Sequence, residues 1–197
     1  MLRVFDFLLK KEGIKRLLKV EDNRVLGKRI LLFVLLVISS IMLFTFLFSK
    51  IVVSLGDSTS HHIFLKVNKE PGFGDYVVIK TPESDPFAKG KLITKRVACA
   101  SGMYVKIVGL DYYCCDSIKG KDSWDGCSHL GQAKTESKKG ESVTPYNPCR
   151  GEGNNSCFFE VPLGYYFLVN PHPDSYDSRY LGLIHRGSII SVLKPIL

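Results

Sequence analysis

The stretch Leu92-Ile93-Thr94-Lys95-Arg96-Val97-Ala98-Cys99 decides how the chain is read. Apolar side chains recur at alternate positions among β-branched residues, the pattern of a half-buried strand. Alternation puts Ile93, Lys95 and Val97 on one side and Arg96 on the other. A lysine on the apolar side is costly. Burial disfavours its ammonium form and lowers its pKa, so a neutral amine becomes available as a general base near pH 7. The alternative is a strand turned the other way, with Lys95 in water and Arg96 inward.

Strand text continues on both sides of this stretch. Residues 63–67 and 76–80 are short β-branched runs separated by the turn Pro71-Gly72-Phe73-Gly74-Asp75. Residues 81–90, with two prolines and mixed charge, read as a loop. Further strands are expected at 104–108, 157–161 and 165–169, with a closing strand at 187–193. Short strands with tight turns, and no internal repeat, predict a mostly β fold. Residues 116–156 break the pattern: they are rich in Gly, Ser, Lys, Asp and Asn and poor in Ile, Leu and Val. They read as a polar, Cys-rich insertion with little core of its own.

The chain has 197 residues and a net charge of +8. Nine Lys/Arg precede residue 30, against Asp6, Glu12, Glu21 and Asp22. A basic tail suits nucleic acid or a membrane surface, and the adjacent apolar run selects the membrane. Residues 31–48 carry no charge and include fourteen Leu, Ile, Val or Phe. Eighteen helical residues reach roughly 27 Å, close to a bilayer core. A cleaved signal peptide would have a shorter apolar core and a small-x-small site soon after. Here Lys50 and Ile51-Val52-Val53 come next instead, so an uncleaved anchor is expected. The organisation predicted is a cytoplasmic basic segment 1–29, a transmembrane helix 30–53 and an outer catalytic domain 54–197. Basic residues before the anchor keep the N-terminus in the cytoplasm. In a bacterium the domain is then periplasmic, on the inner membrane. Membrane lipids are an expected partner, with 1–29 either an amphipathic helix on the inner leaflet or a solvated tail. Nucleic acid is not expected.

Two further stretches carry chemistry. Gly56-Asp57-Ser58-Thr59-Ser60 sets hydroxyls just past the anchor, where a nucleophile could meet a membrane-bound precursor. Such clusters otherwise serve as loop and cap residues. Ser175-Tyr176-Asp177-Ser178-Arg179-Tyr180-Leu181-Gly182 comes after Pro171-His172-Pro173. Its close Asp/Arg pair among aromatics suggests a fixed ion pair holding a loop, or else an exposed turn with a weak salt bridge.

Together these stretches resemble the type I signal peptidases, the serine/lysine membrane proteases. "GDSTSHH" (56–62) is similar to the nucleophile box, "GDYVVIK" (74–80) to the box after it, and "TKRVACASG" (94–102) to the lysine box. "SYDSRYLG" (175–182) is close to the last box, Ser-x-Asp-Ser-Arg-Tyr-x-Gly. The resemblance implies Ser60 as nucleophile, Ser58 as oxyanion helper and Lys95 as general base. It implies that Ser175 hydrogen-bonds the lysine amine, with Asp177 and Arg179 paired to hold the site. It also implies a signal-peptidase-like β-fold. The single anchor, "VPLGYYFLVN" (161–170) and the "DSRYLG" ending look most like the conjugative-transfer (TraF-type) branch, which matures pilin subunits. His61-His62-Ile63 stand where the family carries Met or Pro. A Ser-His-Asp triad through those histidines is disfavoured, because neighbouring residues seldom reach back to the preceding hydroxyl.

Cys99, Cys114, Cys115, Cys127, Cys149 and Cys157 allow fifteen disulfide pairings. Outside the membrane, disulfides are expected to stiffen the insertion, with Cys99 the one most suited to stay free and buried. Cys127-Ser128-His129 offers a zinc alternative, although no CxxC pair is present. No cofactor and no metal are expected. The reading is a membrane-anchored serine endopeptidase that cleaves the leader of a precursor or pilin bound as an extended strand, with or without cyclising the product. The alternative is a non-enzymatic, disulfide-stabilised assembly or binding module with the same anchor.

Overall fold

The computed structural model describes residues 23–54, 59–117, 119, 123–149 and 156–196. Most of the basic segment (1–22), the helper Ser58, Gly56 and Asp57, and parts of the insertion lie outside the described residues. The chain forms two units, 1–49 and 50–197.

In the first unit, helix α1 (Asn23–Phe48) contains a 23-residue stretch, Leu26–Phe48, long and apolar enough to cross a bilayer. At 1.5 Å per residue it spans about 34 Å. Two of its hydroxyls bond within the helix: Ser39 donates to the Leu36 carbonyl at 3.0 Å and Thr45 to the Met42 carbonyl at 2.9 Å. Its apolar side chains face outward all round, as lipid contact demands. The helix is shorter at its C-terminal end than the expected 30–53. It stops at Phe48, and Ile51–Val53 form strand β1 instead. β-branched residues favour the pleated conformation when a partner strand is available, and β2 (Ile63–Val67) supplies it, Val52 opposite Phe64.

The second unit is built from β1, β2, β3 (Tyr76–Lys80), β4 (Leu92–Cys99), β5 (Tyr104–Val108), β6 (Asp111–Cys115), β7 (Cys127–Gln132), β8 (Ser156–Glu160), β9 (Tyr165–Leu168), β10 (Ile184–His185) and β11 (Ile189–Pro195). Seven strands form one antiparallel sheet in the order β1-β2-β11-β3-β4-β9-β10; four form a second, β7-β6-β5-β8. The mostly β expectation holds. The closing strand begins at Ile189 rather than 187, because residues 186–188 make a 3-10 turn.

The large sheet has two different faces. Val77, Ile79 and Val97 pack with Leu168 and Val192 on one; Tyr76, Val78, Phe64 and Leu193 pack on the other. A third cluster joins the sheets, with Cys99, Phe167 and Val169 from the first against Val105, Ile107 and Tyr112 from the second.

Residues 116–156 do more than the sequence suggested. β7 lies inside them and pairs along β6, itself an unexpected strand, while Ala133 and Val143 are buried. Disulfides reinforce this part: Cys99–Cys114, Cys115–Cys127 and Cys149–Cys157. No cysteine is free, which corrects the expectation for Cys99. The end of β4 packs against the second sheet, and that brings Cys114 of β6 to it. Cys127 is committed to Cys115, so the zinc alternative lacks its thiolate.

Phe64 is fully buried and its ring lies 5.1 Å from that of Tyr76. Phe64→Ala should destabilise the second unit by about 3–5 kcal/mol in urea unfolding of the detergent-solubilised chain. A loss under ~1 kcal/mol would contradict this packing.

Candidate active site

Strict alternation along β4 carries Lys95 to the face that Val77 and Val97 occupy, and pairing sets it directly opposite Val77. Arg96 turns to the other face, opposite Tyr76, and is exposed. Lys95 is 4% exposed. Its Nζ donates to Ser175 Oγ at 2.7 Å. Burial lowers its pKa from 10.5 to about 8; the Arg179 cation acts in the same direction and the Asp177 carboxylate opposes both. No carboxylate pairs with Lys95 among the described residues, so its proton is loosely held for a lysine.

Ser175 is fixed by the segment directly after it. Asp177 caps the one-turn helix α2 (Ser178–Leu181), accepting from the Arg179 N–H at 3.2 Å. Its carboxylate also takes both forks of the Arg179 guanidinium, Nε at 2.9 Å and Nη2 at 2.8 Å. Both residues are buried, at 0% and 1% exposure. Such a pair stands only if the remaining donors are satisfied. Here Nη1 reaches the Gln132 carbonyl at 3.1 Å, and Nη2 lies 3.3–3.4 Å from those of His172 and Ser175. The exposed-turn alternative is thereby excluded.

Three supporting residues escaped the sequence reading. Asn170 is fully buried and spans the backbone around Lys95, its Oδ1 accepting from Arg96 N–H and its Nδ2 donating to the Thr94 carbonyl, both at 3.0 Å. Ser178, also buried, accepts from the Leu168 N–H at 2.8 Å. Tyr176 donates to Asp85 at 2.9 Å and ties the 81–90 loop to the site. A polar Asn closing the apolar run Tyr165-Tyr166-Phe167-Leu168-Val169-Asn170 was the available signal. A buried amide at a strand end needs partners.

The structure thus gathers Lys95, Ser175, Asp177 and Arg179. It does not bring Ser60 to them. Ser60 is exposed, and its hydroxyl bonds the Tyr76 hydroxyl at 3.0 Å, on the opposite face of the sheet from Lys95. His61 sets its ring edge-on to Tyr76, 5.8 Å between centroids, and His62 Nδ1 lies 3.3 Å from the Ser54 carbonyl. Neither imidazole bonds to Ser60, so the histidine triad has no geometric support. Beside β4 a cavity of about 290 Å³ is lined by Phe73, Arg96, Ala98, His129, Leu130 and Asn170, room for a side chain of an extended peptide.

No match is found among curated proteins. A signal peptidase I from Enterococcus faecalis V583 is similar in structure at 20% identity and a TM-score of 0.36, over 64% of this chain and 98% of that one. The family model described as "Signal peptidase, peptidase S26" matches residues 26–197, so the chain belongs to that family.

Proposed function

We propose that this chain is a membrane-anchored serine peptidase that removes leader peptides, with Ser60 as nucleophile and Lys95 as its base. Lys95 carries the reading. A buried lysine without a carboxylate partner costs stability, and its lowered pKa leaves about a tenth of it neutral at pH 7. That is the state a serine hydroxyl needs beside it. Family membership and the order of the boxes support the same assignment.

Reaction requires the Ser60 hydroxyl to exchange Tyr76 for Lys95. One neutral hydrogen bond, worth about 1 kcal/mol, holds the hydroxyl on Tyr76. Ser60 Oγ then attacks the scissile carbonyl while Lys95 Nζ takes its proton. The Ser60 N–H and the Ser58 hydroxyl stabilise the oxyanion. Collapse breaks the C–N bond, and the ammonium of Lys95 returns the proton to the leaving amine. The neutral amine of Lys95 then takes a proton from water as its oxygen bonds the acyl carbon; the Ser60 Oγ–C bond breaks and the Lys95 ammonium returns the proton to Oγ. Ser175 keeps the amine in place throughout.

The substrate is a precursor held as an extended strand. The apolar helix, single among the described residues, and the "DSRYLG" ending favour the conjugative-transfer branch, with a pilin as substrate and the catalytic domain periplasmic. If this peptidase also joins the new terminus, mass spectrometry of the product will show the loss of one water relative to the linear form. The Ser60–Tyr76 contact favours one rival, an anchored binding module in which Ser60 and Lys95 are both dispensable.

Ser60→Ala and Lys95→Ala are each expected to reduce precursor cleavage, followed on a gel, by at least about 10³-fold. Full activity in either would sink the mechanism and leave the binding module.

The rate should also rise with pH, with a midpoint in kcat/KM near 8, as Lys95 loses its proton. A flat profile between about pH 6 and 9 would argue against a lysine base.

The same shift sets a stability prediction. The folded pKa of Lys95 lies below its unfolded value, so the folded state binds fewer protons between the two. Stability therefore rises with pH across the window from about 8 to 10.5, and the penalty is full below it. Lys95→Met should gain roughly 1–3 kcal/mol in urea unfolding at pH 7, a gain that vanishes above about pH 10. Equal gains at both pH values would show that the cost is not electrostatic.

A further inference from the structure

We infer that Tyr112, on the second sheet, is a positioning residue for the Lys95–Ser175 pair, acting through the Tyr146 backbone and the loop that carries Asp177 and Arg179. The inference rests on the proposed reaction and names a device at that same site.

Tyr112 lies on β6, at 1% exposure, with its ring stacked on Phe167 of β9 at 5.9 Å. Its hydroxyl donates to the Tyr146 carbonyl and lies 3.2 Å from the Arg179 carbonyl. The Tyr146 N–H in turn donates to that Arg179 carbonyl at 2.7 Å. Neighbouring contacts run along the same line. Arg179 Nη1 donates to the Gln132 carbonyl, the Lys134 N–H donates to the Tyr180 hydroxyl at 2.8 Å, and the Lys134 and Lys138 ammonium groups pair with Asp174.

Two glycines show how close the approach is. A Cβ on Gly131 would stand 3.0 Å from Arg179 Nη1, and one on Gly182 would stand 2.7 Å from the Tyr146 ring. The segment from Gly131 to Tyr146 therefore lies flush on the loop from Asp174 to Gly182. On its other side that loop delivers the Ser175 hydroxyl to Lys95. Two residues along β6 from Tyr112, Cys114 is bonded to Cys99, four residues along β4 from Lys95. The disulfide ties the strand that bears the buttress to the strand that bears the amine.

Asp177 and Arg179 are the charged groups that act on Lys95, and both belong to the buttressed loop. Loosening the loop would admit water to the amine and displace both charges, so the basicity of Lys95 would change along with its aim. A tyrosine that only filled space would do neither when exchanged for phenylalanine, which keeps the ring.

The test uses the full chain in detergent micelles. One readout is cleavage of a quenched fluorescent peptide with an Ala-x-Ala leader junction. The other is the Lys95 titration, by NMR of 13C-labelled lysine, with the resonance identified by its absence in Lys95→Met. Tyr112→Phe is expected to lower kcat about tenfold at pH 7 with KM within about twofold. It should move both the kcat/KM midpoint and the Lys95 titration upward by about half a pH unit or more. Tyr113→Phe, on the outer face of the same strand against Trp124 and His129, should leave both unchanged. An unmoved midpoint and titration in Tyr112→Phe overturn the inference, whatever happens to Tm. If that variant does not fold, Tyr180→Phe, which loses the acceptor for the Lys134 N–H, carries the same readouts. A wild-type chain that leaves the peptide uncut while its Lys95 titration still moves in Tyr112→Phe would refute the peptidase reading and uphold the positioning role. Cleavage by the wild type with no such movement would do the reverse.

Discussion

The buried pair of Asp177 and Arg179 is the constraint on which the rest of the site depends. Taking two charges out of water costs several kcal/mol per ion, and Coulomb attraction alone does not reliably offset it. The fork-to-carboxylate geometry helps, and so does the use of the remaining guanidinium donors on the backbone carbonyls of Gln132, His172 and Ser175, which come from two segments. A cation that satisfies its donors this way fixes the relative position of everything it touches. It holds the Ser175 carbonyl from behind, so that the Ser175 hydroxyl meets Lys95 from the front. A hydrophobic replacement of the pair could be equally stable, but it would not aim a hydroxyl at an amine.

Lys95 works against stability in the same place. It faces Val77 across the sheet, and Ser175 is a neutral partner. A carboxylate there would have offset the burial, and it would also have kept the amine protonated. Asp177 is near enough to oppose the shift but is itself committed to Arg179. The ion pair therefore keeps the available negative charge away from the lysine, leaving burial as the dominant influence on it.

Period-2 alternation is local, so the strand 92–99 and the opposite facing of Lys95 and Arg96 were legible from eight residues, whereas which of the two turned inward depended on the rest of the fold. The box at 175–182 was legible for a similar reason: the capping Asp and its arginine lie two residues apart, and their geometry is made within one turn. What was not legible depends on distant segments. Cys99 read as a free core thiol because nothing near it in sequence reveals that β6 packs across the end of β4. Residues 127–132 read as polar loop because they are a half-exposed edge strand whose partner, β6, was itself unread. Asn170 looked like the end of a strand, and its role appears only once the backbone of Thr94 and Arg96 is beside it. The hydroxyl of Ser60 is the sharpest case. Sequence order pairs it with Lys95, whereas packing on the Phe64 face gives it Tyr76.

The insertion supplies the reason so polar a segment is retained in a small domain. It has few aliphatic residues to bury, and cross-links take their place by limiting the conformations of the unfolded chain. Cys115–Cys127 joins direct cross-strand partners of the second sheet, Cys149–Cys157 closes on its strand β8, and Cys99–Cys114 ties that sheet to β4. Stiffness gained in this way does not depend on packing volume, so the face turned to the catalytic loop is free to use backbone carbonyls and glycines. Those groups can approach a guanidinium closely, where large side chains could not. Any residue offers a backbone carbonyl; the insertion adds the close approach that Gly131 allows beside the guanidinium. That close approach is what fits a segment that looked like a passive excursion to hold an ion pair.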